Sequence, residues 1–296
     1  MLEELKNKFS ISVQESSDIE KLIISDLTKF STPSDQPKAI ILGSQPGAGK
    51  SELEKLAFID LGRNAIICNV DNLKKFHPHS QEIARNYPEY YTDLTNEYAH
   101  KWNLALRNYC LKNKINFILE TTFSDGNSIN IILDKIKKNH FQTELYILSV
   151  AKEISLCGIS IRYEDNIKNL GIARKVGYQA HNDRYDKIPE AIKTVEEKRL
   201  YDYFNLYGRS INSNSEETNG VYLITRTKNS IYDAFIEERD KGLTLKAVNY
   251  IRETIDQVRK LMILRNASFK EKIDFNNILK TNFRLGISNK SKSKKI

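Results

Sequence analysis

The apolar run Ala39-Ile40-Ile41-Leu42 leads without a break into Gly43-Ser44-Gln45-Pro46-Gly47-Ala48-Gly49-Lys50-Ser51. That order predicts a buried strand that turns through glycines into a helix opening on lysine and serine. Glycines let successive backbone N–H groups converge on phosphate oxygens, and the helix N-terminus adds partial positive charge. Lys50 is placed to reach the outer phosphates, and the Ser51 hydroxyl to ligate a bridging magnesium ion. Ser44 stands where the strict phosphate-loop pattern has its first glycine, with Gly43 one residue earlier as a partial substitute.

The rest of the chain alternates in kind. Two helical stretches, marked by Leu2, Leu5 and Phe9 and by Ile19, Leu22, Ile23, Leu27 and Phe30, precede a polar linker from Ser31 to Pro37. Strands are expected at 39–42, 65–70, 115–119, 144–150, 203–207 and 221–225. Helices are expected at 52–61, 92–112, 129–138, 155–164 and 188–200, and charged helix from 231 to about 283. Strands alternating with helices predict an α/β fold, a mostly parallel sheet of the P-loop NTPase kind flanked by helices, with added N- and C-terminal helices. The expected division is 1–37 as a helical extension and linker, 38–230 as the core, 231–284 as a helical region and 285–296 as a basic disordered tail.

Ligands in such sheets bind at the carboxyl ends of strands. Lys50, Asp71 and Glu120 follow the first, second and third strands there. Asp71 can take a proton from an acceptor hydroxyl or orient a magnesium shell, or can simply cap a helix. Glu120, in Glu120-Thr121-Thr122, can bind substrate hydroxyls or magnesium-bound water, or be a paired structural carboxylate. Arg162 and Arg174 suit the charge on a transferring phosphoryl group, although among 46 Lys and Arg residues each could also be surface. The pair His77 and His79 lacks further metal ligands nearby, His181 says nothing alone, and Trp102 with Tyr98 and Leu106 reads as a core face.

The formal charge of +8 draws much of its excess from Lys290, Lys292, Lys294 and Lys295. A lysine-rich end of this kind is a solvated tail more often than a nucleic-acid arm. No apolar run reaches the roughly 20 residues that span a bilayer, and the charged start lacks a secretory signal's apolar stretch. A soluble chain made in the cytoplasm is expected, with Cys68, Cys110 and Cys157 as buried free thiols.

In order, these segments resemble the zeta toxin family, the kinase halves of bacterial toxin–antitoxin pairs. The resemblance runs through Gly43 to Ser51, Asp71-Asn72-Leu73-Lys74-Lys75-Phe76-His77-Pro78, Asn116 to Thr122, Ser155 to Gly158 with Arg162-Tyr163-Glu164, and Ala173-Arg174 with Gln179-Ala180-His181. It implies a small-molecule kinase that uses ATP and Mg2+ on the 3′-hydroxyl of UDP-N-acetylglucosamine, with a protein antitoxin as partner or delivery elsewhere as an effector. Carried over, residues Gly43 to Ser51 would bind ATP and Ser51 the metal. Asp71 would be the general base, Arg162 and Arg174 would neutralise charge, and Asp71, Lys74, His77, Glu120 and Thr122 would contact the acceptor. This sequence departs from the family pattern at Ser44, at Asn69 in place of a first acid, at Ser124 in place of an acceptor-side arginine, and in a shorter stretch between Arg162 and Arg174. Phosphoryl-transfer positions are kept better than acceptor positions, which leaves another nucleotide, a dinucleotide or a non-catalytic nucleotide-binding role as alternatives.

Overall fold

A computed structural model describes residues 1–171, 176–214, 216 and 220–283. Its described residues form a six-stranded sheet in the order β2-β3-β1-β4-β5-β6. The strands are β1 (Lys38–Gly43), β2 (Ile66–Cys68), β3 (Phe117–Thr121), β4 (Gln142–Ser149), β5 (Tyr203–Arg209) and β6 (Val221–Thr227). All neighbours pair in parallel except β5 and β6, which are antiparallel.

The alternation of side chains along each strand divides the core in two. Ala39 and Ile41 face one way with Phe117, Leu119, Leu145, Ile147, Phe204 and Leu206. Helices α2 (Val13–Thr28), α6 (Tyr91–Lys112), α7 (Gly126–Lys138), α9 (Tyr178–Lys198) and α10 (Tyr232–Asp240) cover that face. Ile40 and Leu42 face the other way with Ile118, Tyr146, Leu148 and Tyr207, under α3 (Lys50–Asp60), α8 (Lys152–Leu170), α11 (Leu245–Leu264) and α12 (Phe269–Asn282). Both faces of the central strands are buried, so they read as continuous apolar runs.

The N-terminal helices belong to this packing. Ile23 of α2 is fully buried in the first core, and the Trp102 indole N–H donates to the Ser16 carbonyl at 3.0 Å. Helix α1 (Leu2–Lys8) brings Leu5, with Phe9 after it, against Ile83 of α5 (Ser80–Asn86) and Leu94 of α6. Truncating a wholly buried ring such as Trp102 typically costs about 3–5 kcal/mol.

Three expectations need correction. The second strand stops at Cys68, because Asn69 caps a four-residue helix, α4 (Val70–Leu73), by accepting the Asp71 N–H on its side chain. The capping alternative for Asp71 therefore falls to Asn69. Helix α9 begins at Tyr178, ten residues before the expected start, and carries Pro189 inside it. Packing of Ile188, Ala191, Ile192 and Val195 outweighs the one backbone hydrogen bond that proline removes. Strand β3 runs on to Thr121, so Glu120 lies within it. Cys68, Cys110 and Cys157 are buried and free, as expected.

Candidate functional site

The carboxyl ends of β1, β2, β3 and β5 open into a cleft of about 650 Å3. Its floor is the turn from β1 into α3. Gly47 and Gly49 have φ of 77° and 100°, the left-handed region that favours glycine. Ser44 has no such φ, and its carbonyl accepts from the Lys50 ammonium at 2.9 Å. The serine is accommodated because this turn bends at the later glycines. Gly43 serves by close approach, since a Cβ there would lie 2.5 Å from Ile147 Cδ1 and 2.6 Å from Phe123 Cβ.

Lys50 sits beneath the loop. Its Nζ also donates to the Gln45 carbonyl at 3.3 Å and lies 3.7 Å from Glu120 Oε1. Burial pulls its ammonium below the usual range; Glu120 and Asp71 oppose that shift, and Arg162 adds to it. Glu120 in turn accepts a short hydrogen bond from the Asn69 amide. Glu54, one turn along α3 from Lys50, also lines the cleft, and burial with Glu120 nearby raises its carboxyl.

Asp71 points one half-exposed carboxylate at the cleft. Lys74 is 2% exposed and donates to Asp71 Oδ1 at 2.7 Å, while Asn69 Oδ1 accepts the Asp71 N–H at 2.8 Å. Lys74 thus braces the carboxylate, and Asn69 fixes the backbone that carries it. Thr122 lines the cleft, its hydroxyl 2.9 Å from that of Ser124. Gly158 and Arg162, four residues apart on one face of α8, complete the opposite wall.

His77 lies elsewhere. It is 1% exposed, packs against Tyr98 and His79, and is not among the residues lining the cleft. Arg174 and the lysines of the C-terminal tail fall outside the described residues.

Behind the loop runs a buried polar chain. The Gln45 amide donates to the Val150 carbonyl at 3.2 Å and to Ser155 Oγ at 3.3 Å. Ser155 Oγ lies 2.8 Å from His181 Nε2, and His181 Nδ1 lies 3.0 Å from Asn182 Oδ1. Burial lowers the pKa of His181, which favours the neutral imidazole. Ser155 and His181 therefore tie the loop to α8 and α9, a contact across distant segments that neither residue signals alone.

Sequence reasoning missed Glu54, Asn69, Arg184, Arg209 and Tyr250 among the lining residues. Arg209 was within reach of the strand-end rule, but the fifth strand was expected to stop at 207, two residues short of it.

Residues 23–233 match the family profile described as Zeta toxin. The chain belongs to the zeta toxin family. Relatives in that family include Toxin PezT of Streptococcus pneumoniae serotype 4, 25% identical over 184 residues, or 62% of this chain and 73% of the relative. Toxin zeta of Enterococcus hirae is 25% identical over 179 residues, or 59% of this chain and 62% of the relative. Among solved structures, that of the pneumococcal PezAT chromosomal toxin–antitoxin system aligns with a TM-score of 0.72 at 18% identity, over 85% of this chain and 98% of the other. An AvrRxo1-ORF1:AvrRxo1-ORF2 complex with sulphate ions aligns at 0.54 and 11% identity, over 88% and 82%. These likenesses support the same α/β fold, and the family membership gives the P-loop cleft its context. Among the described residues no helix is long and apolar enough to cross a membrane.

Proposed function

We propose that this zeta toxin family chain is an ATP- and magnesium-dependent kinase. Its acceptor is a hydroxyl of a nucleotide sugar such as UDP-N-acetylglucosamine. One observation carries the reading: the glycine loop with Lys50 and Ser51 shares a single cleft with the braced carboxylate of Asp71 and with Glu120.

Loop N–H groups, Lys50 and the α3 N-terminus would hold the triphosphate. The acceptor hydroxyl gives its proton to Asp71 as its oxygen bonds to the terminal phosphorus, and the bond to the departing ADP oxygen breaks. Lys74 keeps the Asp71 carboxylate oriented through this step, and Asn69 holds the Asp71 backbone in place. Arg162 and Lys50 offset the charge on the transferring group, and Glu120 and Thr122 orient the acceptor. Arg174 is proposed as a second arginine for that charge, on the family resemblance alone.

Among the described residues no cluster of three His, Cys, Asp or Glu side chains could hold a metal by itself. The Ser51 hydroxyl, with phosphate oxygens and water, is the type of donor set that magnesium accepts. The ion would neutralise charge on the bridging phosphates. The relatives solved as toxin–antitoxin pairs support a protein antitoxin as partner.

Purified protein with ATP, magnesium and a panel of nucleotide sugars and dinucleotides provides the test, read by mass. One acceptor is expected to gain a single phosphoryl group. Asp71→Asn should bind ATP as well as the wild type but transfer nothing. A dinucleotide product would correct the acceptor class, where Ser124 replaces the family's arginine. Undiminished transfer by Asp71→Asn would remove the general-base role.

A further inference from the structure

The sheet order gives the cleft two unlike ends. Asp71, in α4 just after β2, and Glu120, in β3, lie on one side of the β1 loop, whereas Arg209 ends β5, two strands away on the other. At about 4.8 Å per strand, the Arg209 backbone stands roughly 10 Å across from the loop strand, and its side chain reaches back to the edge of the loop. A donor whose terminal phosphate faces Asp71 must extend its nucleoside towards that second end.

Two side chains of suitable chemistry line it. The Arg209 guanidinium donates from Nη1 to the Ala48 carbonyl at 2.8 Å and lies so close to Gly49 that a Cβ there would be 2.0 Å from Nη1. Its Nε is buried with no hydrogen-bond partner among the described residues. Tyr250 comes from α11, whose start is pinned to the turn that follows β5: the Thr244 N–H donates to Asn212 Oδ1 at 2.9 Å. The half-buried Tyr250 packs on the second core and lines the same cleft. Helix α11 lies wholly beyond residue 233, where the family match ends.

We infer that Arg209 and Tyr250 form the seat for the nucleoside of the donor, gripping a base by its face. An aromatic ring and a planar guanidinium both favour stacking on a flat heterocycle. The orphaned Nε–H is a donor that a ribose oxygen would satisfy. The C-terminal helices thereby contribute to donor binding. This inference rests on reading the glycine loop as a triphosphate site.

Calorimetric titration of the full chain with ATP and with inorganic tripolyphosphate, both with magnesium, separates the two parts of the ligand. The wild type should bind ATP more tightly than tripolyphosphate. Tyr250→Leu and Tyr250→Ala should each weaken ATP by about ten- to a hundredfold, the usual effect of losing one stacked base, and leave tripolyphosphate unchanged. Tyr250→Phe should retain most of the ATP affinity. Arg209→Lys should also lower ATP affinity selectively. Unchanged tripolyphosphate binding in the same variant certifies that its loop is folded. Equal weakening of both ligands, or of neither, overturns the seat while leaving the donor site standing. A wild-type chain that binds neither ligand overturns both readings.

Discussion

Replacing Gly158 with alanine sets two physical effects against each other. Gly158 is in the interior of α8, where helix propensity alone makes alanine more stable by about 1 kcal/mol. The tertiary structure predicts the opposite sign. An alanine Cβ would lie 2.2 Å from the Gly47 carbonyl oxygen and 3.0 and 3.1 Å from Gly47 C and Cα. Ordinary contact begins near 3.4 Å, so the helix and the loop must part by over 1 Å, and backbone on both sides leaves no flexible side chain to yield. Overpacking of this kind typically costs about 1–3 kcal/mol, enough to outweigh the propensity gain. A displacement near 1 Å at a catalytic loop can reduce rate about a hundredfold. Gly158→Ala should therefore melt below the wild type by a few degrees and bind ATP much more weakly. The readouts are thermal unfolding followed by calorimetric titration. A variant that melts higher with unchanged ATP affinity would refute the claim that α8 is pressed against the loop.

Two further outcomes follow from buried charge. His77 is held neutral by burial, with His79 adding to the effect, and its pKa is brought down to about 4 from 6.5. Between those pH values the unfolded chain binds a proton that the folded chain refuses, so stability falls as pH drops through the window, by about 3 kcal/mol in all. His77→Phe should flatten that part of the profile, read from urea midpoints at about pH 7.5 and about pH 4.5; parallel profiles for the two proteins would contradict it. Arg265 joins α11 to α8 and α12: it reaches Glu164, only 3% exposed, at 2.8 and 3.0 Å and Glu271 at 2.8 Å, and it holds the Glu271 carboxyl down at about 2. Arg265→Met leaves the Glu164 carboxylate buried and unpaired and should lower unfolding free energy in urea by about 3 kcal/mol. A loss well under about 1 kcal/mol would mean the pair behaves as an exposed one.

The sequence by itself determined what depends on neighbours along the chain. Apolar runs ending in Lys50, Asp71 and Glu120 identified the parallel α/β sheet and its ligand-binding edge, because strand alternation and helix periodicity are local properties. The phosphate loop was legible for the same reason. Boundaries were less so: the capping bond from Asn69 cut β2 short, and core packing extended α9 over Pro189.

Only the tertiary structure decided which side chains meet. His77 follows Lys74 by three residues, yet one is packed against Tyr98 while the other braces Asp71. Ser155 and His181 become a buttress for the loop only when α8 and α9 pack behind it. Arg209 and Tyr250 reach the cleft through strand order and through the docking of a helix beyond the family match. Such contacts join residues far apart in sequence, and no periodic pattern encodes them. They arise from closing the two faces of the sheet, which is where local propensity ends and packing begins.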